Sequence, residues 1–265
     1  MSGGWRVARA FFLRDLATDA SYRTSFVLET IDVGVAAAAF YFLARVLGTR
    51  RPAGYDAFAF LLVGMAVNNG MTAAVTCFAQ AVRTDQQTGT IKAVLVWPVP
   101  APVLLLCASV YPMARAGLSV CLYLAAGAAL GVSFGGANLG AAAVLFVLAL
   151  LAFAAMGLVS AAFAMVLKRG DPLLWFFGAV SWLLGGVFFP VDVLPGALRA
   201  AARLLPITYA LDGLRASLLA GAGLSAVRGD VLVLGGVALV GLPLAALALD
   251  AAIAHGKRAG TLGHV

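Results

Sequence analysis

Charge is scarce in this 265-residue chain: Asp, Glu, Lys and Arg together make up 11% of it, while 63% is hydrophobic and the mean hydropathy is +1.02. That balance excludes an ordinary soluble domain and identifies a polytopic membrane protein. Histidine is nearly missing. His255 and His264 both lie in the basic tail after the last apolar stretch, with no carboxylate or nucleophile arranged beside them, so no catalytic constellation is offered. Cysteine is limited to Cys77, Cys107 and Cys121, all inside apolar stretches and without a paired short spacing, which supports neither a disulfide framework nor a metal site. None of the three lysines, Lys92, Lys168 and Lys257, follows a glycine-rich phosphate loop, and the pattern G-x-x-x-x-G-K-[ST] does not occur. The chain therefore carries no nucleotide site and no cofactor of its own. A cleavable signal peptide is not evident, so the N-terminus is expected to stay in the cytoplasm.

What is present is apolar length. Six stretches approach the roughly 20 residues needed to cross a bilayer: residues 26–47, 57–82, 103–130, 139–167, 172–189 and 231–254. The expectation is an all-α integral membrane protein with six transmembrane helices and both termini on one side. With the N-terminus inside, ten Lys and Arg residues fall on inner segments and seven on outer ones, a bias in the direction of the positive-inside rule. The net charge of +7 is accordingly read as orientation and lipid contact, with no nucleic-acid partner. Before the first span, residues 5–20 place Trp5, Phe12 and Leu16 on one helical stripe, which predicts an interfacial helix; a plain cytoplasmic helix is the alternative. The Ala and Gly runs at 36–39 and 140–143 fit close helix packing.

Between the second and third spans, residues 84–97 run from Thr84, with Gln87 at capping-box distance, to a stop at Pro98. Ile91, Val94 and Leu95 form an i, i+3, i+4 apolar face, which predicts a short amphipathic helix along the cytoplasmic surface. Such a helix is a ridge that a partner's groove can grip.

After the fifth span the chain breaks repeatedly, at Pro190, Pro195 and Pro206, yet the pieces between stay apolar on one side. Residues 191–221 are expected on the outer face as two short re-entrant helices. Arg199 and Arg203 stay at the head groups, and Tyr209, Asp212 and Arg215 lie on the second helix, with Asp212 and Arg215 at pairing distance.

Polar groups at membrane depth are costly and mark function or packing. Glu29 and Asp32, three apart near the inner end of the first span, act either as an interfacial anchor or as part of a path or subunit contact. Asn68 and Asn69 near the middle of the second span serve as helix glue or touch substrate; one can bond across helices and the other is harder to satisfy. Arg115, 12 or so residues into the third span beyond Pro112, needs a partner: Asp32, Glu29 or an anionic substrate group. The fifth span is rich in aromatic residues, which pack as core or meet an apolar substrate.

Two of these segments resemble a known family. The order Gly185-Gly-Val-Phe-Phe-Pro-Val, then Leu-Pro, then Leu-Leu-Pro-Ile-Thr-Tyr-Ala-Leu-Asp-Gly-Leu-Arg215 is similar to the C-terminal signature of ABC-2 type transporter permeases. The stretch Gln87-Thr-Gly89-Thr90-Ile91 resembles the Glu-x-Gly-Thr-Leu opening of that family's coupling helix, with Gln87 where a carboxylate is common. The resemblance implies that Gln87, Gly89, Thr90, Ile91 and Lys92 dock onto a separate ATP-binding cassette subunit, which would bind ATP and Mg. It implies a second permease copy, with a homodimer whose path is bordered by the first, second and fifth spans. Phe176, Trp182 and Phe188 then become candidate path residues beside Asn68 and Asn69. The function implied is export of an apolar or amphiphilic compound, as in the daunorubicin-resistance branch, from the bacterial cytoplasmic (inner) membrane; export of a lipid-linked polysaccharide and transport driven by an ion gradient are the alternatives.

Overall fold

The computed structural model describes residues 2–21, 23–48, 52–87, 100–166 and 172–258. These residues are helical with no strands among them, in the chain order α1 Ser2–Ser21, α2 Arg23–Leu47, α3 Ala57–Gln87, α4 Ala101–Ala129, α5 Leu139–Val166, α6 Pro172–Leu184, α7 Gly196–Ala202, α8 Pro206–Leu219 and α9 Arg228–Arg258.

Local chemistry sets the helix ends. Asp56 accepts the Phe58 and Ala59 amides at 3.0 and 3.1 Å, capping α3, and Asn138 accepts that of Ala141 at 3.0 Å, capping α5. Pro206 opens α8, where its missing N–H costs nothing. Gly131, at φ +101°, closes α4: Val132 donates to Gly127 O at 2.9 Å and Gly131 to Ala128 O at 3.1 Å, a Schellman stop that requires the left-handed turn glycine permits.

Of the six expected spans, α2, α3, α4, α5 and α9 are each long and apolar enough to cross a membrane. The stretch expected at 172–189 is helical only over the 13 residues of α6, about 20 Å at 1.5 Å per residue. It leaves the helix at Gly185, and Gly186 adopts φ +83°. Pro112 sits within a continuous α4. Residues 84–87 extend α3, so Thr84 lies inside a helix where a cap was expected; the remainder of the 84–97 segment lies outside the described residues, apart from the end of α3.

α3 is the central helix, with 78% of its span buried against 17% for α2 and α9. It packs on α4 and α5, and α9 lies along α5. Small residues allow the approach. A Cβ on Gly157 of α5 would stand 2.4 Å from the Phe78 ring and 3.0 Å from the Ala74 carbonyl of α3. Ala37, Ala141 and Ala142 from the Ala-rich runs are buried too. α1 packs across α4, and α8 is wedged among α3, α5 and α9.

Candidate functional site

At the end of the molecule holding the α6 break, Arg215 ties three elements together. The spacing from Leu211 to Arg215 to Leu218 puts the guanidinium on the buried face of α8, and the residue is 2% exposed. Nη1 donates to Gly186 O at 2.8 Å, and Nη2 donates to Val187 O and to Phe60 O, both at 3.0 Å. The broken end of α6 leaves carbonyls without helical partners, and the guanidinium fork supplies donors for two of them. Nε is buried without a partner. Gly64 on α3 makes room: a Cβ there would lie 2.4 Å from Val187 O and 2.7 Å from Arg215 Nη2. Arg215 does not form the direct pair with Asp212 expected from their spacing, because the unpaired carbonyls lie on the buried face of α8 and Asp212 lies on the exposed one.

The hairpin of α7 and α8 is stitched by further bonds. Thr208 Oγ1 donates to Ala202 O and the Tyr209 hydroxyl to Arg203 O, each at 2.8 Å. Arg199 donates to Leu194 O at 3.2 Å and to Asp192 O. Pro190 caps the turn at residues 191–193, and Pro195 caps α7. Over Arg215 opens a cavity of about 570 Å³ bordered by Tyr55, Asp192, Tyr209, Asp212 and Asp230. Burial first, and then the Asp212 charge, push the Tyr55 hydroxyl above its ordinary pKa.

The opposite end holds an ion-pair knot. Arg115 of α4 donates to Glu29 of α2, with Nη2 and Nε at 2.8 and 3.1 Å from Oε2, and to Asp19 of α1. The Tyr111 hydroxyl donates to Asp19 at 2.6 Å, and Phe12 meets the Tyr111 ring edge-on at 5.4 Å. Asp32, the other carboxylate considered for Arg115, is exposed one turn further along α2. Asp19 and Tyr111 were not read from the sequence. Asp19 closes α1 shortly before α2, and that short connection, which folds α1 back onto α4, was the available signal.

Beside this knot a half-open cleft of about 420 Å³ lies between α3 and α4. Asn69 lines it and reaches Ser119 Oγ at 3.4 Å. Asn68 is buried, and its Oδ1 has no partner. Trp182 and Phe188 do not line the cleft; they stack edge-on at 5.0 Å, with Phe188 tilted against Phe40 of α2 at 6.2 Å. The candidate path residues thus fall in two places. The side chains of Phe176 and Gln87 lie outside the described residues, as do Gly89, Thr90, Ile91 and Lys92 entirely. No metal-ligating cluster occurs among the described residues.

No curated protein matches this chain. The profile of the ABC-2 type transporter family, however, matches residues 8–219, from α1 through the whole of α8 and so across both the ion-pair knot and the Arg215 joint. The chain belongs to the ABC-2 type transporter family, as a multi-pass membrane permease component that works with an ATP-binding subunit.

Proposed function

We propose that this chain is the membrane subunit of an ATP-driven exporter that takes an apolar or amphiphilic compound from the inner side of a bacterial cytoplasmic membrane and releases it outside. The carrying observation is the match of the ABC-2 type transporter profile to residues 8–219, together with five helices among the described residues that are long and apolar enough to cross a membrane. A cleft of about 420 Å³ lies between α3 and α4, and a cavity of about 570 Å³ lies over Arg215, so each end offers a hollow. Alternating transport requires two states, and nucleotide binding on a partner must bias them.

In this reading both termini are cytoplasmic, two copies assemble as a homodimer, and the segment 84–97 receives the partner's motion. ATP and Mg belong to that partner. The aromatic group Phe40, Trp182 and Phe188 faces the second copy, where an apolar path wall is needed. The test is uptake into inside-out membrane vesicles containing this chain and the ATP-binding subunit that copurifies with it. A fluorescent amphiphile should accumulate when ATP is supplied and persist when protonophore collapses the ion gradient. Accumulation that needs the gradient and ignores ATP overturns the proposal.

A further inference from the structure

The second half of α4 and the first turns of α5 stand apart. Each packs along α3, yet the two meet one another only sparingly beyond the 130–138 turn that joins them. They touch where Gly117 of α4 faces Phe146 of α5: a Cβ on the glycine would lie 3.4 Å from the ring. Between that contact and the turn lies a half-open groove of about 230 Å³. It runs about 10 Å along each helix, from Gly117 to Leu124 and from Leu139 to Phe146. Val63 and Val67 of α3 and Leu214 and Leu218 of α8 form its floor, each no more than 6% exposed. Cys121 and Ala143 stand exposed at its rim. No charged side chain lines it, and among the lining side chains only the Cys121 thiol carries a heteroatom.

The groove lies within the membrane-crossing lengths of α3, α4 and α5. At that depth the solvent is a hydrocarbon layer about 30 Å thick. Water does not settle in an apolar space of this kind, and an empty one forfeits the contacts of its walls. A helix from a second copy, about 10 Å across with its side chains, is too wide to reach the floor. An acyl chain is narrow enough, and the surroundings supply it. We infer that the groove holds one acyl chain of a bilayer phospholipid, which enters sideways between α4 and α5 and lies against Leu214 and Leu218. Leu214 directly precedes Arg215, so the lipid becomes a fourth neighbour, beside α3, α5 and α9, of the helix that carries the Arg215 joint. Such a chain is a lasting partner of the fold and not cargo. Its presence follows from the membrane-spanning helices and does not depend on what the protein transports.

The test uses the unaltered full chain in phosphatidylcholine nanodiscs doped with a phosphatidylcholine that carries a diazirine in mid-chain. After irradiation, mass spectrometry of the digested protein locates the labelled residues. Bulk lipid labels exposed positions such as Leu239 and Leu247 of α9, at 78% and 65% exposure, whatever the groove holds. Adducts on Leu214 and Leu218 should appear as well, because a chain reaches those residues only from inside the groove. Adducts confined to exposed positions overturn the inference without recourse to any variant. Ala143→Trp fills the rim from an exposed position and should remove the α8 adducts while leaving those on α9. Val147→Trp, at 54% exposure on α5 and outside the groove, should leave both sets in place. If the α8 adducts persist in an Ala143→Trp chain that melts as wild type does, the lipid reaches α8 by another route and the groove loses its role. A second copy covering this face would give a disulfide between the two Cys121 thiols on mild oxidation and no labelling of α8, and that result also overturns the inference.

Discussion

Arg215 of α8 lies over the ring of Phe60, with Cζ 3.5 Å from the ring centroid, and donates at 3.0 Å to that same residue's carbonyl. A buried cation is tolerated only when its donors are used and its charge is screened. Here main-chain oxygens take the Nη donors and the aromatic face screens the charge, with Nε alone left without a partner. The contact joins the α7–α8 hairpin to the central helix, and through Gly186 and Val187 to the broken end of α6.

Arg215→Met should therefore destabilise the chain by more than a lost surface charge. Three main-chain carbonyls lose a donor in a buried setting, at roughly 1–3 kcal/mol for each one left unsatisfied and not relieved by water. Arg215→Lys keeps the charge but cannot fork, and should fall between. Melting temperature in detergent, followed by tryptophan fluorescence, orders the three proteins; a methionine variant as stable as wild type would refute the joint.

Gly64→Ala tests the same joint from the other side. Glycine to alanine in a helix ordinarily stabilises by about 0.5–1 kcal/mol, but the new Cβ would sit 2.4 Å from Val187 O. Overpacking on the order of 1–3 kcal/mol should win. Gly235→Ala on α9, with nothing within 4 Å of its Cβ, is the control and should be neutral or slightly stabilising. Equal melting temperatures for the two variants would show that the close approach carries no weight.

The contrast between these residues explains what the sequence could disclose. The start of α3 was legible because apolar length is local: the expected span and the helix both begin at residue 57, where Asp56 caps it. The half-length of α6 was harder to see. Its apolar run continues to Phe189, and only the Gly185-Gly186 pair marks the departure from helix. Arg215 was visible as a cation but not as a buried one, although its spacing from Leu211 and Leu218 places it on the inward face. Gly64 and Asp19 gave no sign, since the value of each depends on an element distant in the chain.

Arg115 and Glu29 should show coupling that either single change understates. In a cycle built from Arg115→Met and Glu29→Gln, the interaction energy should be about 1 kcal/mol, within the range for contacting residues and reduced by partial solvent access. The structural consequence is at α1, which Arg115 holds through Asp19. Limited trypsin digestion at Arg14, half-exposed on α1, should accelerate in Arg115→Met. Additive melting shifts together with unchanged digestion would remove the knot as the anchor of α1.

If two copies meet across the aromatic face, Trp182→Cys should form a covalent dimer on mild oxidation in a background with Cys77, Cys107 and Cys121 replaced by alanine. Trp182 is 49% exposed and stands beside Phe188, so its position is open to a second copy. Leu239→Cys on α9, at 78% exposure, controls for random collision in the membrane. Equal cross-linking at both positions would deny the face its role.

The direction of transport depends on which end is outside, and Leu204 reports it. It lies in the turn between α7 and α8 and is 84% exposed, whereas Ser217 on the same hairpin is fully buried and unsuited to labelling. In the cysteine-free background, Leu204→Cys should react with a membrane-impermeant maleimide added to intact cells. Leu13→Cys on α1, at 50% exposure, should react only after the cells are opened. The reverse pattern would turn the molecule over: the end holding Arg215 would face the cytoplasm, the cleft beside Arg115 would face outward, and the cytoplasmic placement of both termini would fall.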